Sequence, residues 1–293
     1  MRNSGSKIPL FPPHKSRYHP LIMFKQGTTS GTLLFNLIRL SPLATSIMLG
    51  AFSAPTDLES SQAALGRLLV LSVIIIVWSM AESTVMLWHR AKQRQSESSR
   101  GYGFVTVLMG IALLALLNVF RARTSQSLFL LTLAMISVRG MSRAGWEQGR
   151  PRVAFGAAIA GATLLSVLSF FAVSPEFYWE KIAFAAAMGC AVASVEATWF
   201  GDALQAPANA RWALPLYRIT LLAGPVIVAT MALAGYLPKY YAAVYALVPL
   251  AIRLVKNTSR SGINLTSYYG PTAGVYLGFM GIITACLLYM TPR

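Results

Sequence analysis

Apolar stretches of about twenty residues recur along almost the whole of this chain, and a helix of roughly that length is what crosses the hydrocarbon core of a bilayer. Spans are read at roughly 31–53, 65–88, 104–120, 125–141, 153–172, 180–199, 216–236, 238–255 and 268–290, the fourth with the shortest purely apolar centre. Inside lipid every backbone N–H and C=O must be satisfied by the protein, which leaves helices or closed barrels. The runs are too long and too evenly apolar for the alternation of barrel strands. Only 12% of the residues are charged, against about 25% in a soluble domain, so a soluble fold is excluded. The expected architecture is an all-α polytopic bundle of about nine transmembrane helices with short connections between antiparallel neighbours. It forms a single domain over 31–293, preceded by a basic tail over 1–30.

The net charge is +16. No nucleic-acid-binding motif accompanies it, and cytoplasmic loops of membrane proteins collect Lys and Arg, so the basic balance is assigned to the membrane rather than to nucleic acid. With the spans above, the tail, the 90–100 and 139–152 connections, Arg211 and the 253–260 connection carry seventeen Lys and Arg, against six on the other side. That asymmetry predicts a cytoplasmic N-terminus and a C-terminus on the opposite face. Pro9, Pro12, Pro13 and Pro20 break the amphipathic helix that a transit peptide needs. Cys190 and Cys286 both sit in apolar runs and are read as small packing residues.

Against this background the intramembrane acids stand out. In LGRLLVLSVIIIVWSMAESTVMLW (65–88) the only charge after Arg67 is Glu82. A charged group at the bilayer centre costs about 2.5–3.5 kcal/mol on insertion scales, so it marks a functional site by default. Glu196 sits near the end of the sixth span and Asp202 follows it. His89 lies seven residues after Glu82, on the same helical face. These groups and the basic 90–100 and 139–152 segments all fall on the predicted inner side. Carboxylates can hold magnesium together with phosphate oxygens, and Lys or Arg can neutralise the remaining phosphate charge. An apolar cavity beside such a site would suit an isoprenyl diphosphate, and equally an anion-coupled transporter. Each acid also has a structural reading: Glu82 as a polar anchor between helices, Glu196 paired with Arg211, and Asp202 as a helix cap.

The order of these features resembles the UbiA-type membrane prenyltransferase superfamily. Within it the chain is similar to the dihydroxynaphthoate prenyltransferases of menaquinone synthesis. LIRLSPLATSIMLGAFSA (37–54) resembles the family's opening segment. The stretch WEKIAFAAAMGCAVASVEATWFGDALQAPANARWALPL (179–216) resembles the sixth span and its loop, with Gly201-Asp202 where that branch has Gly-Asp. LPKYYAAVYALVPLAIRLVKN and TAGVYLGFMGIITACLLYM resemble the last two spans. The resemblance covers most of the chain, carried by weak, mainly apolar similarities in the right order. It implies a UbiA-like bundle that binds an isoprenyl diphosphate and a lipophilic acceptor, with Mg2+ between the diphosphate and the acids.

The motifs themselves depart from the family. Placing Glu82 on the first Asp of NDxxDxxxD puts Ala81, Val85 and His89 where the Asn and the other two Asp would stand. Anchoring NNxRDxxGD on Gly201-Asp202 puts Ser194, Val195, Ala197 and Thr198 at the Asn, Asn, Arg and Asp positions. On the enzyme reading, Glu82, Glu196 and Asp202 are the catalytic acids, and with His89 they hold the metal. Arg90, Lys92, Arg94, Arg100, Arg143 and Arg211 bind the diphosphate, and the prenyl group passes to an aromatic or quinone-precursor acceptor. A terpene cyclase is a variant of this reading. The lost aspartates motivate an alternative, a non-catalytic descendant that binds an isoprenoid or quinone-like lipid.

Overall fold

A computed structural model describes residues 34–41, 58–93, 98–173, 179–201, 207–258 and 265–290. Every regular element among them is helical. Helix α1 covers 34–41, and the long helices follow: α2 (Leu58–Gln93), α3 (Ser98–Arg123), α4 (Gln126–Glu147), α5 (Pro151–Val173), α6 (Trp179–Trp199) and α7 (Pro207–Leu233). A 3-10 segment, Lys239–Leu247, leads into α8 (Val248–Asn257), and a second, Leu265–Tyr268, leads into α9 (Tyr269–Met290).

Six of these helices contain segments long and apolar enough to cross a bilayer: Gln62–Val85, Ser99–Ala122, Gln126–Glu147, Pro151–Ala172, Trp179–Trp199 and Trp212–Leu233. The chain is therefore a multi-pass helical bundle by length and composition. The sequence-predicted first span, 31–53, falls mostly outside the described residues. The predicted eighth, 238–255, divides into a 3-10 segment and α8. Pro249 sits at the start of α8, where it has no N–H to give and its ring crowds the carbonyl four residues back, so a regular α-helix does not run through this point.

Three turns of α2 lie beyond a bilayer's reach. Its 36 residues rise about 54 Å at 1.5 Å each, and its apolar segment ends at Val85, which puts His89, Arg90 and Lys92 past it. Between α3 and α4 the chain breaks its helix at Ser125, whose hydroxyl accepts from the Leu128 N–H at 3.3 Å and so satisfies one of the donors left free at a helix start. Between α4 and α5 it reverses at Gly149, whose φ of 64° is costly for residues with a β-carbon. The Arg150 N–H closes this turn on the Gly145 carbonyl at 2.8 Å, and Pro151 opens α5, where a missing N–H costs nothing.

The helices pack into two apolar bodies. Leu71 and Ile74 of α2 meet Phe120 of α3, Met135 of α4 and Leu165 of α5. Phe35 and Ile38 of α1 meet Met188 and Val192 of α6, Val228 of α7 and Phe279 of α9. A smaller group around Trp146, Phe155, Ala197 and Tyr217 ties α4 and α5 to α6 and α7. The polar cluster described next lies where α1, α2, α4 and α6 meet.

Candidate functional site: a buried guanidinium–carboxylate cluster

Arg39 is the hub. It lies on the short α1, 4% exposed, with its guanidinium 5.4 Å from the centre of the Phe35 ring one turn earlier. Phe35 is in turn stacked on Trp199 of α6 at 4.5 Å. From this seat Arg39 reaches both intramembrane acids. Its Nη1 donates to Glu82 Oε2 at 2.7 Å and its Nη2 to Glu82 Oε1 at 3.1 Å, a two-pronged pair. Its Nε donates to Glu196 Oε1 at 2.7 Å. The remaining oxygen of Glu196 accepts from Ser142 Oγ and from Trp146 Nε1, both at 3.1 Å. One guanidinium thus ties α1 to α2 and α6, and α4 closes the network.

Helix α4 contributes a stripe. Arg139, Ser142, Arg143 and Trp146 are all buried, and their spacing of three, four and seven residues puts them on one helical face. The Arg143 Nη1 donates to the Glu82 backbone carbonyl, and its Nε pairs with Glu147 at 2.9 Å. Trp146 is held by Phe155 of α5 at 5.0 Å and by Phe200 at 6.0 Å, the latter stacked. Arg139 is buried at 4% exposure. Its Nη1 donates to the Arg39 carbonyl at 3.4 Å, and its stem lies on Gly161 of α5, where a β-carbon would come within 2.7 Å of Arg139 Cγ. Among the described residues its Nε and Nη2, and Nη2 of Arg143, have no hydrogen-bond partner.

A buried ion pair is strongly destabilised, by roughly 3–5 kcal/mol, when one partner is removed and the other charge is left uncompensated. The cluster is therefore a strong constraint on how α1, α2 and α6 sit together. It also bears on metal binding. All four carboxylate oxygens of Glu82 and Glu196 accept hydrogen bonds from protein donors, and the Arg39 guanidinium occupies the space between the two acids. Among the described residues no group of three or more His, Cys, Asp and Glu comes together. In this arrangement the two acids do not fit a magnesium ion, which needs free carboxylate oxygens and near-octahedral access.

Of the residues the sequence singles out, the structure brings together Glu82, Glu196 and Arg143. Glu196 pairs with Arg39. Lys92 and Arg100 are exposed, one near the end of α2 and the other in the first turn of α3. His89 and Arg90 lie on α2 and Arg211 on α7, with side chains outside the described set; Asp202 and Arg94 lie outside the described residues. Sequence reasoning missed Arg39, Arg139, Ser142 and Trp146 as members of the site. The signal for the last three was the helical spacing they share with Arg143. For Arg39 the signal was a second intramembrane charge, of the sign opposite to that of Glu82.

Comparisons of this chain with protein-family models, with curated proteins and with solved structures return no match.

Proposed function

We propose that this chain is a UbiA-like membrane protein that binds an isoprenoid or quinone-like lipid, with the lipid's head at the cluster around Arg39 and its tail along the apolar helices. The reading takes up the order of motifs that resembles the superfamily, with about nine spans, the N-terminus in the cytoplasm and the cluster toward the cytoplasmic side. One observation carries the choice of binding over diphosphate ionisation: Arg39 pairs with both acids and, with Ser142 and Trp146, engages all four of their carboxylate oxygens. Family enzymes hold their diphosphate through aspartate-bound magnesium. Here Val85 and Thr198 stand at two of those aspartate positions.

A second reading, prenyl transfer to an aromatic acceptor, has one observation in its favour. Glu82 of α2 and Glu196 of α6 do converge, within reach of a single guanidinium. On that reading Arg39 would have to leave the acids before Mg2+ and an isoprenyl diphosphate could enter.

One experiment separates the two. The full chain in nanodiscs is incubated with farnesyl and geranylgeranyl diphosphate and with a menaquinone, with and without magnesium. Saturable lipid binding without pyrophosphate release supports the binding reading. Magnesium-dependent pyrophosphate release, lost in Glu82→Gln, would replace it with the enzyme, and the linear or cyclic form of the product would tell transferase from cyclase.

A further inference from the structure

We propose that the open edge of Arg139 is a metal-independent subsite for an oxyanion, the phosphate-type head of a single-chain amphiphile; this rests on the lipid-binding reading above. The free nitrogens are Nε and Nη2, which lie on the same side of a guanidinium. Their N–H bonds point in parallel, in the two-pronged arrangement that matches two oxygens of one phosphate or carboxylate. Arg139 is 4% exposed, so this edge does not face bulk water. Unpaired polar groups in such a place are costly.

The charges around it point the same way. Glu82 and Glu196 are committed to Arg39, and Arg143 has Glu147. Arg139 forms no ion pair among the described residues, and its one described hydrogen bond is to a backbone carbonyl. The cluster holds three guanidinium groups, from Arg39, Arg139 and Arg143, and three carboxylates, from Glu82, Glu196 and Glu147, so its charges balance, and Arg139 is the guanidinium with no ion pair among the described residues. Arg143, four residues along the same face of α4, adds a further free donor, Nη2. Where the family's acids attract a cation that then holds the anion, this arrangement offers guanidinium donors to the anion directly.

The test uses the full chain in phosphatidylcholine nanodiscs with a chelator present, titrated separately with farnesyl monophosphate, farnesol and inorganic phosphate. Binding and the shift in melting temperature are both read. Farnesyl monophosphate is expected to bind at least about tenfold tighter than farnesol without any divalent cation, as charge-assisted hydrogen bonds imply. Arg139→Gln and Arg139→Lys are both expected to remove that difference, because lysine keeps the charge and loses the fork. Lys256→Gln, an exposed cation on α8, is expected to leave it intact. Arg139 has a single long hydrogen bond to lose, and the melting temperature of each variant without probe shows whether it has folded.

Equal affinity for farnesol and its phosphate would overturn the subsite while leaving the lipid reading standing. So would a difference that survives Arg139→Gln, or one that requires magnesium. Binding of inorganic phosphate that depends on Arg139, with no added affinity from the farnesyl chain, would support the subsite with a free anion as its source and overturn the lipid reading. Binding of none of the three probes would overturn both.

Discussion

Helices α3 and α6 are both apolar and both long enough to span a bilayer, yet they occupy opposite environments. Of the apolar segment of α3, 17% is buried in protein; of that of α6, 78% is. The buried helix is the less hydrophobic one. Helix α6 carries Ala187, Ala191, Ala193, Ser194 and Ala197 on surfaces that other helices cover, with Glu196 among them. Helix α3 turns Phe104, Val107, Leu108, Ile111 and Leu114 outward. The physical reason is that lipid tails are as apolar as leucine, so large side chains gain nothing from leaving lipid for protein. Helices associate instead through small residues that allow close approach and through polar groups that need partners. In such a chain the most hydrophobic segment marks the periphery, and the weaker one leads to the site.

That contrast can be broken most severely at the ion pairs. Replacing Glu196 with leucine leaves Arg39 paired with Glu82 alone and takes the acceptor from Arg39 Nε, Ser142 Oγ and Trp146 Nε1, and is expected to lower stability by roughly 3–5 kcal/mol, read from unfolding in mixed micelles. Replacing Arg39, Glu82 and Glu196 together with methionine, glutamine and leucine is expected to recover part of that loss, because Arg39 Nε is then no longer a buried charged donor without its acceptor. A triple variant no more stable than Glu196→Leu would show that the charges act through something other than each other.

A direct comparison of the two helices comes next in size. Ala193→Leu on α6, at a fully buried position, is expected to cost about 1–3 kcal/mol by overpacking. Ala115→Leu on α3, at an exposed position, is expected to change stability by less than about 0.5 kcal/mol, the usual range of surface substitutions. Equal costs would show that α3 is covered by protein in the bilayer.

The smallest effect is expected at the ends of α5 and α7, where the Arg152 guanidinium lies 3.4 Å from the centre of the Trp212 ring. Both residues are exposed, so Arg152→Gln is expected to cost about 0.5–1 kcal/mol. A loss as large as that at Glu196 would place this contact within the structural core of the bundle.

The helices were legible in the sequence because hydropathy reports length, and α5 and α6 lie within a few residues of where it puts them. The fourth span shows where that signal fails. Its apolar run was read as ending at 141, and α4 continues to Glu147. Arg139 and Arg143 were therefore counted with the inner connection, whereas both are buried on the inward face of α4. A charge at the end of a span reads the same in sequence whether it faces headgroups or a buried acid. Glu82 and Glu196 were legible as site residues because an acid in an apolar run is costly. Their partner was not: Arg39 lies 43 positions before one and 157 before the other, and no local pattern carries that pairing.

The pairing of Arg39 with Glu196 is the most direct thing to measure, by a double-mutant cycle of Arg39→Met and Glu196→Gln in unfolding experiments on the reconstituted chain. A coupling energy of at least about 1.5 kcal/mol is expected for two charges in hydrogen-bonded contact away from water. Additive effects, within about 0.5 kcal/mol, would mean that Arg39 does not hold Glu196, and that the Oε1 oxygen of this acid is free to take a metal after all.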